Sequence, residues 1–456
     1  MKLVVIGGDA AGMSAASQAR KRLGADDLSI VAFERGDYTS YSACGIPYWI
    51  GGAVDGPDAL ITRTPEEHRK NGIDVRLRHE VVGIDLDRRE VLVHDLTGGG
   101  ETREPFDHLV YATGASPFMP EWARVPEAGV FGVQTLGDGE AVHTWLDSDP
   151  KPRRAVVIGG GYVGVEMAEA MVLRGLEVTL LEKSPQPMGK TVDPDMGALV
   201  QKSMRGLGIE VHTDAHVEGL ETAGGRVRGV VTADGTIPAD IVVLGLGVRP
   251  NSALARDAGL AVGSTGGVRT DLRMRAEGTE GVWAVGDCVE TRHLLTGQAV
   301  YVPLGTHANK QGRVAGINIG GGYATFPGVI GTAVTKVCEL EVSRTGLTSK
   351  EARAAGYSFV TASVDSTNRA GYYPGAEMMT VKLIAERRTG ALLGAQIVGR
   401  AEAAKRIDAL AVAIWNRMTV EEMTALDLSY APPFAPVWDP ILIAARKATE
   451  AVHAHL

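Results

Sequence analysis

The same pattern occurs twice in this chain, with its two copies starting at Gly7 and Gly159, and that repetition limits the fold more than any other feature. The first copy is a short apolar run, residues 3–6, entering Gly7-Gly8-Asp9-Ala10-Ala11-Gly12. A helix-compatible stretch to about residue 23 and a second apolar run, residues 28–33, follow, ending at Glu34. The second copy is residues 155–158, then Gly159-Gly160-Gly161-Tyr162-Val163-Gly164, a helical stretch to about residue 174, and residues 177–181 ending at Glu182. Glycines let backbone amides approach a pyrophosphate, and the helix start offers unpaired N–H groups with partial positive charge. The acid at the end of the second strand can accept hydrogen bonds from ribose hydroxyls. One glycine turn before a helix says little, because such turns are common. Two complete copies with both acids in place predict two dinucleotide sites on two Rossmann-like α/β units.

Other short apolar runs end in glycine: residues 109–113 before Gly114, 241–246 before Gly247, and 282–285 before Gly286-Asp287. From about residue 326 the pattern changes. Strand-like runs at 332–340, 379–385 and 395–398 mix with helices near 401–418 and 439–451, which reads as a separate α+β domain. The length of 456 residues suits about three domains of ~150 residues each.

Composition narrows the function classes. A net charge of −9 argues against a nucleic-acid partner, although local basic pockets for a small anion remain compatible with it. The opening residues show no cleavable leader, and no apolar stretch approaches the ~20 residues a bilayer span needs. A cytoplasmic protein without a membrane partner is expected. Three cysteines at unrelated spacings make neither a disulfide framework nor a zinc site, and no metal is expected. In a reducing cytoplasm a conspicuous cysteine is more often catalytic than structural. Cys44 is conspicuous: it lies between polar residues and a Gly45-Ile46-Pro47 turn, an unusual setting for the small buried hydrophobe that a lone cysteine commonly is. Cys288 and Cys338, within or directly after apolar strands, read as core.

The ordered motifs resemble the pyridine nucleotide–disulfide oxidoreductases over essentially the whole chain. The resemblance implies a three-layer, glutathione-reductase-like α/β architecture with a C-terminal α+β dimerisation domain, and a homodimer. It divides the chain into an FAD-binding domain (1–117 and 248–325), an NAD(P)-binding domain (118–247) and the dimerisation domain (326–456). It places FAD at Gly7, Gly8, Ala11, Gly12, Glu34, Arg35, Val81, Thr113, Gly114, Asp287, Pro303 and Ala308. NADH or NADPH falls at Gly159, Gly161, Tyr162, Gly164, Glu182, Lys183 and Gly247. Glu182 favours NADH by repelling a 2′-phosphate, which Lys183 could tolerate.

The segment Ser40-Tyr41-Ser42-Ala43-Cys44-Gly45-Ile46-Pro47-Tyr48 selects the branch. Glutathione-type reductases carry two cysteines here, five apart; this chain carries one and resembles the single-cysteine branch of coenzyme A–disulfide reductases, NADH oxidases, NADH peroxidases and polysulfide reductases. Tyr430-Ala431-Pro432-Pro433-Phe434 and Tyr372-Tyr373-Pro374-Gly375 resemble tyrosine motifs of the coenzyme A–disulfide members. The implied enzyme passes electrons from the nicotinamide through FAD to a mixed disulfide between Cys44 and a small thiol. Coenzyme A is then a substrate or a covalent partner on that sulfur, and Tyr372 and Tyr430 protonate departing thiolates. Arg20, Arg22, Ser40 and Lys70 are the candidate substrate contacts, Arg20 first among the basic ones. An NADH oxidase or a polysulfide/persulfide reductase using the same cysteine is the alternative. A peroxidase is disfavoured because Ala10 stands where that branch has histidine. Two departures stand out: Ala43 replaces the usual asparagine, and Asp9 enters the first glycine turn, where it is expected to cap the helix.

Overall fold

Leu3, Val4, Val5 and Ile6 are all buried, as a parallel strand covered on both faces requires. The computed structural model describes residues 1–125 and 128–454. Its contacts divide the chain into two compact units. One contains Met1–Phe118, Val133–Asp147 and Val248–Gly328; the other contains Met119–Gly132, Ser148–Gly247 and Val329–Leu456. Residues 133–147, placed by the sequence reading within 118–247, thus pack with the first unit. The C-terminal section packs in the same unit as the second glycine motif.

In the first unit β1 (Lys2–Ile6), α1 (Ala10–Arg22) and β2 (Ser29–Glu34) form the predicted strand–turn–helix–strand. The parallel sheet runs Val282–Ala284, His108–Tyr111, β1, β2, Asp74–Leu77. The buried side of α1 consists almost entirely of small residues, among them Ala11, Ala15 and Ala19. That permits a close approach by the helix Gly305–Ile319: a Cβ on Gly312 or Gly316, one turn apart, would run into the carbonyls of Ala11 and Ala15.

The second unit repeats the design with β3 (Arg154–Ile158), α2 (Tyr162–Leu173) and β4 (Glu177–Leu181). Its parallel sheet runs Glu210–His212, β4, β3, Ile241–Leu244, Val130–Gly132. The C-terminal section adds an antiparallel sheet ordered Ala333–Val337, Leu340–Gly346, Leu392–Gly399, Met378–Glu386, Phe359–Thr367. Two Rossmann-like parallel sheets and a C-terminal α+β section are therefore present, as expected. A partly buried polar cluster ties that section to the start of the helix Pro194–Gly206: Lys382 Nζ lies 3.0 Å from Asp193 and 2.7 Å from Asp195. Asp193 also accepts from the backbone and hydroxyl of Ser349.

Two element predictions need correction. Residues 332–340 are not one strand: Ala333–Val337 is the first strand of a hairpin that turns at Cys338-Glu339, with Cys338 at φ 55° and its N–H donating to Glu169. Cys338 is buried and Glu339 exposed, and the turn holds no Gly, Pro, Asn or Asp to mark it. Residues 401–418 are not one helix. Glu402 adopts φ 68°, a 3₁₀ turn spans Ala404–Arg406, and the helix proper is Ile407–Trp415. Among the described residues no helix is long and apolar enough to cross a membrane, and no His/Cys/Asp/Glu cluster could hold a metal ion.

Candidate active site

The two glycine turns are near replicas. Gly7 and Gly159 have φ 105° and 102°, and a side chain on either would strike the carbonyl of Ala112 or Gly245. A Cβ on Gly12 or Gly164 would strike the carbonyl of Gly7 or Gly159, which is why each helix can start so close beneath its strand. The acids also match. Glu34 accepts from the N–H groups of Gly8 (2.8 Å) and Gly36 (2.7 Å); Glu182 accepts from those of Gly160 and Ser184, both at 2.6 Å. Each acid therefore braces its glycine turn at the β-strand terminus. Neither α1 nor α2 carries a side-chain capping bond, so the first-turn N–H groups keep capacity for an anion. Gly161 is the α2 N-cap, Tyr162 follows it, and Lys183 is exposed beside Glu182. Gly247, at φ 86°, follows the strand Ile241–Leu244.

Cys44 is exposed on a 3₁₀ turn, Ala43–Gly45, at the end of a tightly held strap. On one side the strap pairs with residues 60–62: Ser42 N–H donates to Leu60 O and Thr62 N–H to Ser40 O, each at 2.8 Å. On the other it meets the first glycine turn, where the Thr39 hydroxyl and the Ser40 N–H both donate to Gly8 O. Ser40 itself is left-handed (φ 51°), and its hydroxyl lies 2.9 Å from Nε2 of the buried His68. Burial pushes His68 down to about 4, so the ring is neutral at pH 7. Beyond Cys44 the helix Ile46–Ile50 rests on Leu136–Leu146, where Trp49 stacks on His143 at 5.5 Å.

Asp9 corrects the capping expectation. It occupies the N-cap position of α1 but makes no capping bond; its Oδ1 instead accepts from Tyr41 N–H at 3.2 Å. Burial, with the nearby charges of Glu34 and Asp287, pushes Asp9 up to about 7 against the lowering effect of the Tyr41 and Ala10 amides. Asp287, pushed up by burial to about 6, directly follows Gly286, where a Cβ would lie 2.7 Å from that of Ala11. Ala308 is buried one layer away, and Pro303 lies just before its helix.

The basic candidates diverge. Arg20 is a brace, not the phosphate contact expected of it: its guanidinium donates to the carbonyls of Leu23, Gly24, Leu28 and Gly72. Helix-end carbonyls have no partner within the helix and draw a nearby cation inward. Arg22 is exposed and lies over Gly320 and Gly322. Lys70 is exposed at the end of the helix Pro65–Lys70, where Arg69 pairs with Glu66 and Glu67 closes a capping box with Thr64. Arg35 is exposed, 4.0 Å from Glu80, and Val81 is buried in the strand His79–Asp85.

Thr113 and Gly114 mark a crossing whose partner, Asn251, lies outside every sequence motif. That residue's backbone carbonyl accepts from Tyr111 and Thr113 hydroxyls, its amide donates to Thr113 O, and its N–H donates to Gly114 O. The signal was a Pro250-Asn251 pair after a strand, too common to single out.

In the second unit the two tyrosine motifs come together. Ala370 N–H donates to Pro432 O, and Arg406 clamps both segments by donating to the carbonyls of Asn368 and Phe434. Tyr372 and Tyr430 are exposed and share a hydroxyl hydrogen bond; partial burial and that bond raise the Tyr430 phenol. A phenol that keeps its proton is a proton donor in waiting.

The sequence profile of the pyridine nucleotide-disulphide oxidoreductases matches residues 1–312, and that of their dimerisation domain matches residues 332–440. The chain is 39% identical over 449 residues to the NAD(P)H coenzyme A polysulfide/persulfide reductase of Pyrococcus horikoshii, covering 98% of each. It is 36% identical over 450 residues to an NADH oxidase of Methanocaldococcus jannaschii, again covering 98% of each. A solved NAD-dependent persulfide reductase from A. fulgidus superposes with a TM-score of 0.96 at 39% identity, over 100% of this chain and 84% of that one. The profiles, the relatives and the paired glycine turns agree: this chain belongs to the pyridine nucleotide-disulphide oxidoreductase family.

Proposed function

We propose that this enzyme reduces small polysulfides or persulfides with NAD(P)H through Cys44, in a coenzyme A-dependent way. The observation that carries the reading is the exposure of Cys44 on a strap hydrogen-bonded directly to the first glycine turn. The expected disulfide substrate, coenzyme A disulfide, gives way to sulfane sulfur because two relatives, each 39% identical and matched over 98–100% of this chain, carry persulfide reductase names.

The family's FAD fits the first unit. The uncapped start of α1, the cradle that a Cβ on Gly7 would fill, and Glu34 at the strand end form its phosphate and ribose site. When bound, the flavin supplies two-electron relay between nicotinamide and sulfur. The second turn, with Glu182, would hold the nicotinamide dinucleotide and prefer NADH. Cys44 acts as a thiolate. It attacks the inner sulfur of R–S–SH, the S–S bond breaks, and HS⁻ departs to leave Cys44–S–S–R. Two electrons and one proton then release RSH and restore the Cys44 thiolate. Tyr372 and Tyr430 are the proposed donors of that proton. The same exposed sulfur could cycle through sulfenic acid with oxygen, the second reading, which the NADH oxidase relative supports. A homodimer through residues 332–440 completes the proposal.

Anaerobic NADH oxidation with coenzyme A persulfide, coenzyme A disulfide and, in air, oxygen separates these acceptors. Sulfide release should track NADH loss, and Cys44→Ser should reduce the rate at least about 100-fold. A Cys44→Ser enzyme that still turns over persulfide at the wild-type rate would remove the mechanism; coenzyme A disulfide as the faster substrate would restore the original expectation.

A further inference from the structure

We infer that Asp9 is a positioning residue that joins the flavin phosphate loop to the Cys44 strap, and that it holds FAD as a neutral carboxylic acid. The inference rests on the flavin reading of the first glycine turn and not on the identity of the electron acceptor.

Three hydrogen bonds connect residues 8 and 9 to residues 39–41: Thr39 hydroxyl to Gly8 O, Ser40 N–H to Gly8 O at 3.3 Å, and Tyr41 N–H to Asp9 Oδ1 at 3.2 Å. Asp9 contributes the only side-chain acceptor of the three, and it does so three residues before Cys44. Its other oxygen belongs to a carboxyl at the start of α1, where the first-turn amides await phosphate. An ionised carboxylate there is acceptor-only and repels a pyrophosphate; a protonated one keeps Oδ1 for Tyr41 and offers an O–H donor.

The surroundings favour the neutral form. Glu34 faces Asp9 from the end of β2, Asp287 from the loop after Val282–Ala284, and Tyr41 from the strap, with Asp9 itself largely desolvated and titrating near 7. Tyr41 is itself raised out of the physiological range by burial and by the charges of Asp9 and Glu34, so it stays neutral throughout. Asp287, titrating near 6, becomes anionic first and adds to the cost of ionising Asp9.

The test uses holoenzyme and reads flavin release by fluorescence on dilution from pH 6 to 8.5, with no acceptor present. The wild-type FAD dissociation constant should rise about tenfold per pH unit above pH ~7, as one proton is lost. Asp9→Asn, which keeps the acceptor oxygen and supplies a permanent donor, should bind FAD with a flat profile over the same range. Asp9→Ala should also bind FAD with a flat profile but label with iodoacetamide at Cys44 several-fold faster than Asp9→Asn, because the strap loses its anchor. An Asp9→Asn protein with the wild-type slope, or one that loses flavin at every pH, overturns the inference. So does equal Cys44 labelling in Asp9→Asn and Asp9→Ala. Persulfide turnover enters none of these readings, so failure of the proposed substrate leaves them intact.

Discussion

Gly45 has no room for a side chain, because a methyl group there would run into Leu60, itself buried. Gly45→Ala should therefore lift the Cys44 turn off the 60–62 segment at a cost of about 1–3 kcal/mol. We expect this variant to retain FAD but to lose most of the long-wavelength thiolate–flavin band during NADH titration; an unchanged band would mean the turn absorbs the methyl without moving its sulfur. The tyrosine pair makes a second residue-scale prediction. Tyr372 and Tyr430 share one hydrogen bond, so Tyr372→Phe, Tyr430→Phe and the double variant should lower kcat by similar factors, not multiplicatively. Steady-state kinetics of the three proteins test it. The positions of the glycine turns were legible in the sequence because a Cβ at Gly7, Gly12, Gly159 or Gly164 would strike backbone. Arg20 was not: a basic residue ending a helix looks the same whether it faces solvent or bends back onto carbonyls. Asn251 and Arg406 were hidden for a different reason, since their partners lie 138 and 28–38 residues away in sequence.

Among elements, the two strand–turn–helix–strand copies were readable because buried parallel strands are uniformly apolar and their glycine turns abrupt. The hairpin at Cys338 was not, since its Cys338-Glu339 turn holds none of the Gly, Pro, Asn or Asp residues that usually mark one. Nor was the docking of the C-terminal sheet, which depends on Lys382, Asp193 and Asp195 meeting from distant segments. Lys382 and Asp193 are both buried. Removing one partner strands the other charge, so Lys382→Met should destabilise the protein by about 3–5 kcal/mol at pH 7. Burial alone would raise Asp193, but the Ser349 and Lys382 contacts outweigh it and hold the carboxyl below its ordinary 3.8. A depressed carboxylate contributes stability above the unfolded value and loses it as pH falls through the folded one. The difference in denaturant midpoint between wild type and Lys382→Met should therefore narrow below pH ~4. A gap independent of pH would place the loss in packing of the lysine stem.

The whole molecule has a net charge of −9 and yet exposes a concentrated set of large apolar side chains in its C-terminal section. Tyr372, Met378, Phe434, Val437 and Trp438 are each more than half exposed. Single exposed hydrophobes are ordinary, but several within one section mark a surface that another protein covers. Residues 332–440 match the family's dimerisation domain, in keeping with the homodimer proposed above. Phe434 and Trp438 are the aromatic residues suited to anchor such an interface. A Phe434→Glu/Trp438→Glu double variant should move from dimer to monomer by light scattering at micromolar concentration. The first glycine turn and its Glu34 brace lie wholly in the other unit, so the monomer should keep its flavin. Its persulfide turnover divides two cases. Retained activity would mean that each chain completes its own site. A rate reduced to that of Tyr430→Phe, with flavin content intact, would mean that the tyrosine pair serves Cys44 only within the dimer.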